Sequence, residues 1–95
     1  MDLDRTSGTA VVRACVTLVE GLERASRHGY VRVSAATDHA TGLRIARAIG
    51  ELGAVTVRPG IPAVVTVGLN ARSVDAVIEL LHDLVLREQI VHRAT

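Results

Sequence analysis

The chain contains no lysine, tryptophan or phenylalanine, and only one tyrosine, one cysteine and two prolines among its 95 residues. Each shortage excludes something. Without lysine, no side-chain Schiff base can form with a carbonyl substrate or an aldehyde cofactor; all eleven basic residues are arginine. Cys15 alone allows neither an intramolecular disulfide nor a thiolate metal cluster built from one chain, a cysteine usage that fits a reducing setting. A formal net charge of +1 argues against a dedicated nucleic-acid binder, whose domain is usually strongly basic. No apolar run approaches the roughly 18 residues that would span a bilayer. The opening MDLDRTSG is polar and acidic-first, unlike the basic-then-apolar start of a signal peptide. These readings together predict a soluble cytoplasmic protein without nucleic-acid or membrane partners and without a cofactor.

What remains is globular: 48% of residues are hydrophobic and 22% charged. Residues 1–8 read as a flexible lead-in and residues 9–95 as one domain. Thr9 is placed to cap a first helix over about 10–28, with Val11, Cys15, Leu18, Val19, Leu22 and Ala25 at helical spacing and Gly29 beyond its end. The period then changes to two. Val31, Val33 and Ala35 point one way and Tyr30, Arg32 and Ser34 the other, which predicts a half-buried strand over 30–35.

Thr37 and Asp38 can cap a second helix, about 38–52, with Leu43, Ala46, Ile49 and Leu52 on its inner face and Gly53 at its stop. Two valine-rich strands, 54–58 and 63–68, flank the turn Pro59-Gly60-Ile61-Pro62. Asn70 caps a third helix, about 71–91, whose stripe is Val74, Val77, Leu81, Leu84 and Val91. The order α-β-α-β-β-α predicts a two-layer α/β sandwich, a small three-stranded sheet with helices on one face. If the first two strands are neighbours, they are parallel; the last two form an antiparallel hairpin.

Two segments carry a resemblance. Ile45 to Pro59, a helix followed by glycine, a valine-rich strand and Arg58-Pro59, resembles part of the small domain of fold-type I pyridoxal-phosphate aminotransferases. Val64 to Gly68 followed by Val74 to Leu81 is similar to that domain's closing strand and last helix, and the histidinol-phosphate aminotransferases come nearest. The resemblance covers about residues 14–87 and implies a fold. It does not carry the activity, since Val64 stands where the family usually has a carboxylate-gripping arginine and the cofactor-binding large domain is absent.

The residues with chemical potential are few. Cys15 lies on an apolar stripe and reads as a buried small hydrophobe. Asp38 and His39 sit at a strand-to-helix turn, where active-site groups of α/β proteins gather, and they are the candidate catalytic pair; a capping aspartate beside an exposed histidine is the plainer reading. His82 and Asp83 read as a solvated face, and no histidine has the companions of a metal site. Gly50-Glu51-Leu52-Gly53 joins a helix to a strand and reads as a helix stop, not as the helix-to-helix loop of KH domains.

The strand face turned from the helices is more informative. By alternation it carries Tyr30, Arg32, Ser34, Thr56, Arg58, Val64 and Thr66. Arginine grips carboxylate or phosphate with two donors, so this face fits a protein partner or a small anion, and a three-stranded sheet leaves edges that invite a second copy. The function expected is a non-catalytic binding or assembly module that self-associates. The alternatives are a small enzyme or enzyme subunit with its site near Asp38 and His39, or a relic of a transferase small domain.

Overall fold

The period-two segments become strands and the helical stripes become helices. The computed structural model describes the backbone of residues 2–94 and the side chains of residues 9–89. Its elements are α1 (Asp2–Arg24), β1 (Tyr30–Thr37), α2 (His39–Ile49), β2 (Ala54–Arg58), β3 (Ala63–Asn70), a 3-10 turn (Ala71–Ser73) and α3 (Val74–Ala94). This is the expected α-β-α-β-β-α order, with one three-stranded sheet.

The sheet order is β1-β3-β2, and both pairings are antiparallel. β1 and β2 therefore run parallel to each other without being neighbours, because β3 enters between them: a split β-α-β arrangement. Composition explains which strand takes the centre. β3 is half-buried even on the side away from the helices, at Val64 and Thr66. β2 is short and runs into Arg58-Pro59, and a proline that cannot donate to a ladder belongs at an edge.

One core lies between sheet and helices. Val11, Cys15, Leu18, Val19 and Leu22 from α1 meet Val31, Ala35, Val65, Val67 and Leu69 from the sheet. Val74, Val77, Leu81 and Leu84 of α3 join them as the stripe predicts, while Val91 lies outside the residues whose side chains are described. Burying each such side chain contributes roughly 1.5–3 kcal/mol. Every buried hydrophobic residue here is aliphatic, alanine or cysteine.

Several boundaries and one face differ from the sequence reading: β1 runs on to Thr37, β3 to Asn70, and α3 spans Val74–Ala94 after the 3-10 turn. α1 starts at Asp2, so the lead-in expected over 1–8 is helical from residue 2 onward, and Thr9 lies inside the helix. α1 also ends at Arg24, short of position 28. The connection that follows is tied instead to the start of the last helix: Arg27 pairs with Asp75 at 2.7 Å, and Ala71 N–H donates to the Gly29 carbonyl at 2.8 Å. α2 stops at Ile49, with Gly50 as its cap and Gly53 N–H reaching back to the Ile49 carbonyl at 3.2 Å.

The buried face of α2 is Thr41, Gly42, Ile45 and Ile49; Leu43 and Leu52, expected inside, are exposed. Small residues made the difference. A Cβ at Gly42 would lie 2.8 Å from Val57 Cγ1, so α2 approaches β2 through its glycine rather than through a leucine. An ion pair from Arg44 of α2 to the buried Glu88 of α3 also joins these two helices.

Candidate functional site

The registers fix what the outer sheet face looks like. Arg32, Gly68 and Ala54 form one row across β1, β3 and β2; Ser34, Thr66 and Thr56 form the next; Ala36, Val64 and Arg58 the third. Tyr30 and Asn70 close the face at one end. The centre is built from small residues, and the long side chains stand at its margins. Among the described residues this face carries two arginines and no carboxylate.

A hollow of about 280 Å³ lies on it. Its floor is Gly68, Ala54, Thr56 and Thr66; Tyr30, Arg32 and Arg58 bound it. The tyrosine is 62% exposed yet not free-standing: a Cβ at Gly68 would fall 2.2 Å from the Tyr30 hydroxyl and 2.9 Å from Cζ, so the ring end rests directly on the glycine. An aromatic over a strand glycine covers backbone that would otherwise be bare. Arg32 and Arg58 occupy opposite edge strands, and strand spacing with rise per residue sets their Cα atoms roughly 16 Å apart on the diagonal. Each presents a planar fork of donors that matches two acceptor oxygens.

Of the residues expected to bind a ligand or partner, Tyr30, Arg32, Thr56 and Arg58 line the hollow together. Ser34 stands beside it, sharing a 3.0 Å hydrogen bond with Thr66. Gly68 and Ala54 were not anticipated. Their place depends on the interstrand register, which alternation within one strand does not reveal.

Asp38 is a helix cap. Its Oδ1 accepts from Thr41 N–H at 2.8 Å and its Oδ2 from the Thr41 hydroxyl at 2.7 Å. The Thr41 backbone bond first, and its hydroxyl second, hold the carboxyl below its ordinary value of 3.8. His39 is exposed on the first turn of α2. Neither residue is among those lining the sheet-face hollow.

A second hollow, about 270 Å³, opens between α1 and α3 with Cys15, Val16, His82 and Val85 in its walls. Burial pushes the Cys15 thiol up to about 11, so the thiolate needed for nucleophilic attack is scarce near neutral pH. His82 and Asp83 are both exposed. No group of three or more potential metal ligands occurs among the described residues. No helix among them is long and apolar enough to cross a membrane.

No protein-family model, curated protein or solved structure matches this chain. The reading of its function therefore rests on the geometry of its own residues.

Proposed function

We propose that this chain is a non-catalytic binding and assembly module whose working surface is the outer sheet face, and that the face takes an anionic group, a carboxylate or a phosphate. The observation that carries this reading is charge without compensation. Arg32 and Arg58 border one open hollow with Tyr30, over a floor bearing the Thr56 and Thr66 hydroxyls, and no acidic side chain shares the face. Hydrogen bonds to charged groups contribute roughly 1.5–3 kcal/mol each. Two guanidinium groups on a diagonal suit a ligand with two anionic ends, or an acidic stretch of a protein partner.

The resemblance to aminotransferase small domains enters this reading only through position. Val64 stands where that family usually carries its carboxylate-gripping arginine, and Arg58 is its direct neighbour across the β2–β3 ladder. A guanidinium is thus offered one strand away from the expected place. No lysine accompanies it, so the proposal is for binding and not for transfer chemistry.

Titration with inorganic phosphate and, separately, with succinate, followed by NMR of the backbone amides, tests the reading. Shifts confined to the neighbourhood of Arg32, Thr56, Arg58 and Thr66 are expected with at least one of the two. The double substitution R32A/R58A should weaken that binding tenfold or more, given that about 1.4 kcal/mol corresponds to tenfold, while leaving the fold intact because both residues are exposed. If neither anion moves these amides, or the double variant binds as the wild type does, the proposal fails.

A further inference from the structure

The two edges of the sheet are not equally defended. β2 is a five-residue edge that ends in arginine and is followed at once by proline and glycine, devices that stop a strand from recruiting another. β1 has eight residues, paired one to one with β3 from Tyr30–Asn70 to Thr37–Ala63 without a bulge. It contains no proline, its inward residues Val31, Val33 and Ala35 are apolar, and Arg32 is its only charge. β1 ends the strand order, so a full row of backbone N–H and C=O groups faces outward with no strand beside it.

We propose that a second copy of this chain occupies that edge, β1 pairing antiparallel with β1 about a two-fold axis perpendicular to the sheet. The occupant follows from the physics of the edge. An antiparallel pairing of identical strands is self-complementary and closes at two copies, so it blunts both open edges at once without forming a filament. Such an axis keeps both helical layers on one side and makes one six-stranded sheet, in the order β2-β3-β1-β1-β3-β2.

The charges also direct the second copy away from the outer face. Stacked face to face, two copies would set arginines against arginines with no carboxylate to answer them. Along the edge, the single like-charge contact is avoided by register. Directly opposite like charges destabilise a pair of strands, so a ladder that sets Arg32 against Arg32 of the other copy is disfavoured. Ladders that set Ser34 against Arg32, or Ser34 against Ser34, are open. This inference rests on the assembly half of the proposed function but moves self-association from the outer face to the β1 edge, leaving the face to the anion.

The experiment is sedimentation equilibrium over a dilution series, with hydrogen exchange of the β1 amides at both ends of that series. The wild-type chain is expected at twice its monomer mass, with alternate amides of β1 slowed at high concentration and released on dilution. Ser34 is exposed and does not line the hollow, and S34R places new like charge next to the axis in both open registers. It should raise the dimer dissociation constant about tenfold or more, with the far-ultraviolet spectrum of the fold unchanged. R58A, on the opposite edge strand β2, should do the reverse, keeping the dimer and weakening anion binding. A wild-type chain that stays monomeric throughout overturns the inference. So does a dimer that S34R leaves untouched or whose β1 amides exchange independently of concentration.

Discussion

Asp38 stands where active-site residues of α/β proteins gather, and in this fold it caps a helix. It follows a strand and precedes a histidine. Both of its oxygens are nevertheless engaged by Thr41, one by the backbone and one by the hydroxyl. Asp38→Ala should destabilise the fold by about 1 kcal/mol, within the 0.5–2 range of lost N-caps, seen as a melting temperature lower by roughly 4–8 °C per kcal/mol. The pH dependence has a definite sign. The folded-state value lies below the ordinary 3.8, so the cap's contribution is fully present above 3.8 and is lost as pH falls through the depressed value. Acid titration of wild type and D38A should therefore show curves that converge below about pH 3.8, and parallel curves would disprove the cap's role. The cap was legible because an aspartate precedes helical spacing. The role of Gly68 was not, since it exists only because Tyr30, distant in sequence, lies across it.

The elements themselves were readable wherever one period ran uninterrupted. The stripe on α3 and the alternation in β2 and β3 gave their buried sides correctly. α2 did not, because the leucines at 43 and 52 outweighed two small residues in any count of apolarity. Helix-to-sheet distance decided the matter: the close approach at Gly42 admits no side chain. Gly42→Ala should accordingly cost about 1–3 kcal/mol through overpacking against Val57, despite alanine's better helix propensity; chemical denaturation measures it, and a stabilised variant would show that α2 shifts freely. The clasp between α2 and α3 was equally invisible, since Arg44 and Glu88 lie far apart in sequence. Glu88 is buried but Arg44 is about half exposed, which screens the pair. Arg44→Ala should cost on the order of 1–2 kcal/mol, below the 3–5 of a fully buried pair, and denaturation in high salt should narrow the difference from wild type.

On the scale of the whole molecule, the order of layers was legible and the order of strands was not. Periodicity states which segments are strands; it does not state that β3 divides β1 from β2, because that choice is made by which strand tolerates burial on both sides. The division moves the two arginines to opposite margins and leaves an eight-residue strand at the border of the sheet. The core beneath is aliphatic apart from Cys15, and the one tyrosine sits outside it, among the arginines. This protein is therefore optically divided. Near-ultraviolet absorption, circular dichroism and fluorescence all come from Tyr30 and report the outer sheet face, while the interior is silent at those wavelengths and speaks only through the peptide bands. A ligand arriving in the hollow would change the tyrosine signal with the far-ultraviolet spectrum unmoved. Occupancy of the face and loss of the fold can thus be followed separately in one unlabelled sample, by choice of wavelength alone.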